Sequence, residues 1–317
     1  MLNYLLKRLV MTILVILVVM TFLSLLVQVV PGDAARTLLG TRATPEVVEE
    51  LRRQMDLDKP AHIQVINFIW KVLHGSFGND VFSGQPISNL VWAALPHTLI
   101  LAWTSLGLAA LLGIPLGVFS ATHPGSWVDR ILSVISIGFI TVPSYLGGLI
   151  LLLIFAVKLH LLPAIGVAEE GNTADYIRRL ILPAVALAIT WIGYLARLVR
   201  ASLLEVLNEP YIRAARAVGL RENVVRYKYA LKNAMIPTVA VLGVGLGNLM
   251  GGAVFVEIIF TRPGMGRLIY DAINFRNYPI VRAGVLVVAL VFIFANLLAD
   301  IAYTYLDPRI ELGASRG

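Results

Sequence analysis

SLLEVLNEPYIRAARAVGLRENVVRYKYALKNAMIP, residues 202–237, is a polar, basic segment enclosed between two long apolar runs. In a chain that is 58% hydrophobic and only 14% charged, a segment of this kind is more than a connector between spans and has the character of a docking surface. Asn208-Glu209-Pro210 marks a helix break and restart, because proline suits a first helical turn, whereas Gly219 suits the position just past a helix end. A helix of about two turns fits between them. On it Tyr211, Ala214, Ala215 and Val218 fall at i, i+3, i+4 and i+7, an apolar, mostly small-residue face from which Arg213 and Arg216 point away. Isolated helices shorter than about 12 residues are marginal in water, so this one needs something to pack on. A protein partner and the membrane surface are both open on these residues alone.

The composition lies well outside the range of soluble domains, and with a positive mean hydropathy it identifies an integral membrane protein. The net charge of +7 does not point to nucleic acid. The bases flank apolar spans, where they favour the cytoplasmic side and anionic lipid. Cysteine is absent, which excludes disulfides, thiolate metal sites and a cysteine nucleophile.

Working outward, six apolar runs are expected as spans, near residues 9–30, 93–121, 131–157, 180–198, 236–259 and 282–306. The first carries no charge and exceeds the roughly 20 residues that cross a hydrocarbon core. Lys7 and Arg8 precede it and place the N-terminus inside. Val29-Val30-Pro31-Gly32 is a poor small-residue cleavage site, so this run is read as a retained span in a segment 1–30. Residues 31–92 carry charges of both signs and form a small extracytoplasmic subdomain, with a helix starting at Thr44-Pro45 and showing periodicity at Val47, Val48 and Leu51. Residues 93–306 make the membrane core and 307–317 a cytoplasmic tail. Lysines and arginines divide evenly between the two sides until the 31–95 segment is set aside, as loops longer than about 60 residues escape the rule; the excess is then inside. Pro96, Pro115, Pro143 and Pro183 fall in or near spans as candidate kinks. Gly247 and Gly251, four apart, suit close helix approach.

No glycine-rich phosphate loop ending in Gly-Lys-Ser/Thr is present, so nucleotide energy would have to come from another subunit. The five histidines lack metal-ligand spacing, and Gly75-Ser76-Phe77-Gly78 is not a nucleophile elbow. No catalytic or metal site is expected. Asp300, Glu257 and Asn248 lie near membrane depth, where a proton-coupled carrier would place its relay, although both acids sit close enough to helix ends for structural pairing.

Several motifs, in order, carry a family resemblance: Val30-Pro31-Gly32-Asp33, Leu57-Asp58-Lys59-Pro60 with Gln64, Gly113-Ile114-Pro115-Leu116-Gly117, the run Tyr211 to Gly219, Ala230-Leu231-Lys232-Asn233-Ala234, Arg262-Pro263-Gly264-Met265-Gly266-Arg267 and Leu306-Asp307-Pro308-Arg309. Together they resemble the permease subunit of a bacterial binding-protein-dependent ABC importer of the dipeptide/oligopeptide/nickel type. The resemblance implies an all-α membrane protein with six transmembrane helices of type I importer architecture. It implies that residues 202–235 are the cytoplasmic EAA loop and that Tyr211, Ile212, Arg213, Ala214, Ala215, Arg216, Ala217, Val218 and Gly219 form an ATPase-coupling helix. Ala214, Ala215 and Gly219 match the general pattern, while Arg213 stands where many permeases have glutamate and Lys232 where they have proline. The peptide-type version favours arginine and a later proline, as Pro237 is here. The implied partners are a second, homologous permease, two ATP-binding subunits carrying ATP and Mg, and an extracytoplasmic solute-binding protein. The chain itself is then neither an enzyme nor a cofactor carrier and lies in the bacterial inner membrane with both termini cytoplasmic. The implied solutes are di- or oligopeptides, with nickel chelates or glutathione as the alternative. A secondary transporter is the competing class, but internal repeats are not evident and the basic loop has no role in it.

Overall fold

The computed structural model describes residues 2–29, 34–39, 43–166 and 171–306. The Val30–Asp33 motif and the 307–317 tail lie outside them. Among the described residues the regular structure is helical, and the one β-bridge joins Asn79 to Pro86. Helix α1 runs Leu2–Val29, followed by the short α2 (Ala34–Leu39), α3 (Pro45–Gln54) and α4 (Ala61–Leu73). Helix α5, Ile87–Thr122, continues unbroken through Pro96 and Pro115. Pro143, by contrast, divides the third span. Val142 is held extended (φ −82°, ψ 117°), the conformation that a following proline imposes by its clash with the preceding residue. The span therefore becomes two arms, α6 (Trp127–Thr141) and α7 (Ser144–Leu151) with a π-helical extension Leu152–Lys158, bent by 102°.

Helix α8, Thr173–Leu207, contains Pro183 and is much longer than the apolar stretch at 180–198. Its 35 residues at 1.5 Å rise span about 50 Å, well over the roughly 30 Å of hydrocarbon, so both polar ends extend beyond it. Helix α9 (Pro210–Ala217) comes next, then α10 (Glu222–Val224), a π-helical turn Val225–Ala230 and α11 (Leu231–Ile259). The last three make one 38-residue helical run, so residues 222–237 of the basic segment continue a span as helix rather than forming a loop. Helix α12 (Met265–Asn274) occupies part of a stretch whose Arg-Pro-Gly-Met-Gly composition reads as turn, and α13 is Tyr278–Leu306. Among the described residues four helices are long and apolar enough to cross a membrane, and the bent pair counts as a fifth if it is one span. The sixth expected span is α1, 28 residues long with a described apolar stretch Val10–Leu23.

The chain forms two compact units, Met1–Thr98 with Pro263–Ile293, and Leu99–Arg262 with Phe294–Gly317. In the first, Val48 and Leu51 turn inward with Ala35 and Met55, while Val47 is half exposed, contrary to the expected periodicity. The Leu57–Pro60 motif organises the end of α3. Asp56 adopts a positive φ of 57°, and its carboxylate accepts from Lys59 at 2.8 Å and Lys71 at 2.6 Å. Gln64, almost fully buried, donates to the Lys59 carbonyl and accepts from Arg282. Asp80 caps its own turn, accepting from the Phe82 and Ser83 amides, the Ser83 hydroxyl and the Asn277 side chain.

In the second unit α8 is the central helix, packed by α6, α7 and α11. Its contacts are backbone-close. A Cβ at Gly117 would meet the Ala196 carbonyl oxygen at 2.5 Å, and one at Gly113 the Ile192 carbonyl oxygen at 2.9 Å. The Gly113–Gly117 motif is thus a small-xxx-small seam between α5 and α8. Gly193 meets the Ser136 carbonyl oxygen across the α6–α8 contact in the same way. On α11 the close approaches are made by Gly243 against Ala299 and Gly245 against Trp191. Gly251, expected at such a contact, faces open space within this chain.

Gly117→Ala pushes a methyl against a carbonyl that a helix cannot withdraw, and is expected to lower stability by about 1–3 kcal/mol, seen as an earlier thermal unfolding midpoint in detergent, while Gly251→Ala leaves it unchanged. In the first unit, burial raises the Asp56 carboxyl pKa but the hydrogen bonds from Lys59 and Lys71 outweigh it and hold it below the ordinary value. Its contribution is therefore present above the unfolded value of about 3.9 and is lost as pH falls through the lower folded value. Acid unfolding followed by tryptophan fluorescence should be shallower in this range for Asp56→Asn than for the wild type.

Candidate coupling surface

Helix α9 is defined at both ends by local chemistry. Asn208 ends α8, its side-chain amide donating to the Leu204 carbonyl at 2.9 Å. Glu209 is extended (φ −66°, ψ 148°) before Pro210, which opens α9 at its first position. At the other end Gly219 takes φ +79°. The Leu220 amide then reaches back to the Ala215 carbonyl at 3.3 Å and the Gly219 amide to the Arg216 carbonyl at 3.0 Å, the paired bonds of a Schellman stop. The break, the restart and the glycine stop thus fall where the sequence places them.

The anchor that holds the helix within the chain is a residue outside the face read as seeking a partner. Ile212 is the fully buried residue of α9, seated among Val118 and Ala121 of α5, Val199 and Leu203 of α8, and Val225, Ala230 and Ala234 at the head of α11, with Ala215 leaning on the same cluster. Tyr211, Arg213, Ala214, Arg216, Ala217, Val218 and Gly219 are exposed, Val218 at 76%. Of the face expected to pack on a partner, Ala215 turns inward onto this cluster. Tyr211, Ala214 and Val218 keep their i, i+3, i+7 spacing on the outer side. Two further links hold the helix. The Tyr211 hydroxyl accepts from the Asn233 side chain at 2.7 Å, and Glu222 accepts from Arg216 at 3.0 and 3.2 Å and from Arg226 at 3.0 Å. Arg213 has no ion-pair partner among the described residues.

A second cluster locks the turn between α5 and α6. The Ser126 hydroxyl caps α6 by accepting from the Asp129 amide. The buried Asp129 carboxylate accepts from the Gly125 amide, from the Ser120 hydroxyl, and from Arg200 of α8 in a bidentate pair at 2.7 and 2.9 Å. Sequence reasoning did not single out this pair. Its partners stand 71 residues apart, and the only signal was Arg200 recurring beside Arg197 near the end of an apolar run.

Of the polar groups flagged at membrane depth, Glu257 is fully buried and Asn248 is exposed on a cleft of about 530 Å³ that also presents Thr190, Trp191 and Tyr194. The side chain of Asp300 lies outside the described residues. Arg262 of the Arg262–Arg267 motif is fully buried, its guanidinium 5.5 Å from the Tyr176 ring centroid and donating to the Tyr176 hydroxyl. No group of three potential metal ligands is found among the described residues.

Helix α9 is thus keyed by Ile212 into the ends of three long helices and leaves its other side exposed. The chain belongs to the family of binding-protein-dependent transport system inner membrane components, the model of which matches residues 113–312, with its N-terminal companion matching 1–102. It is 38% identical over 309 residues to the probable peptide ABC transporter permease protein y4tP of Sinorhizobium fredii, covering 97% of this chain and 99% of the relative. It is 38% identical over 311 residues to the glutathione transport system permease protein GsiC of Salmonella choleraesuis (98% and 99%), and 35% identical over 333 residues to the dipeptide transport system permease protein DppB of Alkalihalophilus pseudofirmus (98% and 100%). Among solved structures, an inward-facing MetNI methionine ABC transporter chain shares the fold with a TM-score of 0.58 at 20% identity, over 69% of this chain and 96% of that one.

Ile212→Ala removes the fully buried anchor and is expected to cost about 2–5 kcal/mol, whereas Val218→Ala on the outer side should stay within about 0.5 kcal/mol. Thermal unfolding of the two purified variants in detergent checks the contrast.

Proposed function

We propose that this permease component forms part of the transmembrane pathway of an ATP-driven importer of di- or oligopeptides or similar small solutes, with α9 as the helix that a partner ATPase grips. The observation that carries this reading is the division of α9 into two sides: Ile212 fixed among the ends of α5, α8 and α11, and Tyr211, Ala214 and Val218 left outward. Force applied to the outer side is delivered to three long helices at once. The relatives support the solute class through their names, two for peptides and one for glutathione; the solute itself would be selected by an extracytoplasmic binding protein.

In this reading ATP and Mg are held by two partner ATP-binding subunits, and a second, homologous permease completes the pathway. Residues 202–235 and both termini face the cytoplasm, and residues 31–92 lie outside, ahead of a 93–306 core. Gly251, exposed and open on α11, offers a surface where a second permease can approach closely. Arg213, exposed and without an ion-pair partner among the described residues, is available to an acidic group of the ATPase.

Val218→Asp and Ala214→Trp alter the outer side of α9 without touching the Ile212 cluster. In proteoliposomes containing the full complex, each is expected to abolish solute-stimulated ATP hydrolysis and uptake while the permease keeps its unfolding midpoint. Ala215→Trp, by contrast, should lower the midpoint as well, because Ala215 packs on the internal cluster. Uptake and ATPase stimulation at wild-type level in both outer-side variants would count against α9 as the coupling element.

A further inference from the structure

A cleft of about 530 Å³ in the second unit is walled by Ile140 of α6, by Thr190, Trp191 and Tyr194 of α8, and by Val244 and Asn248 of α11. Its size falls in the range of small-ligand sites, roughly 300–1,000 Å³. The polar side chains of two spans converge on it. Asn248 is the sole polar side chain of α11 between the buried Thr238 and Glu257. On α8, Thr190, Trp191 and Tyr194 are the side chains with hydrogen-bonding groups between Leu180 and Ala196. The hydrogen-bonding side chains in the middle of these two helices therefore open on one cleft, and no charged side chain lines it among the described residues.

Thr190 is spent on the fold, since its hydroxyl donates to the Val142 carbonyl at the Pro143 break, at 3.3 Å. The other three groups are open. The Asn248 amide, the Tyr194 hydroxyl and the Trp191 indole N–H make no hydrogen bond among the described residues. Asn248 and Tyr194 are exposed, and Trp191 is half-buried. The Trp191 ring is held in place. It lies where α11 has Gly245, whose Cβ would come within 2.8 Å of it, and it stands edge-on to Tyr194 with 5.8 Å between centroids. Hydrocarbon cannot satisfy such groups, and polar side chains at this depth are kept where they meet water, a partner or a ligand. Asn248 shares a face of α11 with Val244 and Gly251, at i, i+4 and i+7. The cleft thus lies beside the surface proposed for the second permease, where two such subunits would enclose water.

We propose that this cleft is a solute subsite of the transmembrane pathway that takes an uncharged, amide-bearing segment of a peptide. Asn248 pairs with a peptide bond through its donor and its acceptor, and Trp191 and Tyr194 receive an apolar side chain. The subsite rests on the importer reading above, and the experiment separates the two. The chain has no cysteine, so Asn248→Cys, Val244→Cys and, on an exposed apolar side of α5, Leu111→Cys each introduce one thiol. In the full complex in nanodiscs, a charged methanethiosulfonate reacts only where water lets the thiol ionise. Both cleft thiols are expected to label at least about tenfold faster than Leu111→Cys, read from the mass of this chain. In proteoliposomes, the maximal rate of ATP-driven trialanine uptake should fall at least about tenfold in Asn248→Leu and recover in Asn248→Gln. The concentration of loaded binding protein at half-maximal rate should stay unchanged, as should the unfolding midpoint. Labelling of both cleft thiols at the Leu111→Cys rate, as for a cleft sealed by lipid or by the second permease, overturns the subsite. Wild-type uptake in Asn248→Leu, or an equal loss in Asn248→Gln, does the same. A wild-type complex that takes up no trialanine overturns the peptide importer reading itself, and the amide assignment with it, whatever the labelling shows.

Discussion

The seating of Ile212 in the cluster formed by α5, α8 and the head of α11 fixes what α9 can do. An eight-residue helix has too few hydrogen bonds to persist in water by itself. Full burial of one isoleucine is worth about 1.5–3 kcal/mol, whereas exposed ion pairs such as Arg216 with Glu222 contribute about 0–1 kcal/mol. The apolar anchor therefore sets the orientation of α9, and the charged links adjust it. Because the cluster draws on three long helices, displacement of α9 cannot be absorbed by one of them alone.

Behind that anchor the second unit is stiff for a specific reason. At Gly113, Gly117 and Gly193 the neighbouring helix backbones stand so close that no side chain intervenes. A contact made by carbonyl oxygens on fixed helices has no rotamer to yield, unlike a contact between long side chains. The bidentate Arg200 to Asp129 pair adds a directional tie between α8 and the α5–α6 turn. Arg200 follows Val199 of the Ile212 cluster on α8, and Ser120, which donates to Asp129, precedes Ala121 of the same cluster on α5. The polar lock and the apolar anchor are thus built on the same two helix segments.

What was legible in the sequence was local. Pro143 breaks its span because the constraint on the preceding residue acts within a dipeptide, and Gly219 stops α9 because its positive φ is a property of one residue. The extents of helices were less legible. Hydropathy reports where lipid surrounds a chain rather than where hydrogen bonding ends, so α8 runs past both borders of its apolar stretch. The inward anchor of α9 was not legible, since helical spacing accommodates Tyr211, Ala214, Ala215 and Val218 as readily as Ile212 with Ala215, and only the neighbouring helices seat Ile212. The Asp129 pair and the bond from Arg282 to Gln64 depend on residues distant in sequence and leave no local pattern.

The burial of Ile212 also bears on whether α9 serves a lipid surface or a protein partner. Interfacial helices hold the membrane by a broad apolar face rich in large side chains, with binding that grows with the apolar area inserted. In α9 the one large aliphatic side chain in the middle of the helix is already used inside the protein. The outer side offers Ala214 and Ala217, with Tyr211 and Val218 toward one edge and Arg213 toward the other. Alanines contribute little to membrane insertion, but they let another backbone approach closely, and the flanking tyrosine and arginine add the polar contacts that protein interfaces favour. The same small residues that make α9 a poor membrane anchor are what the proposed docking into a cleft of another protein requires.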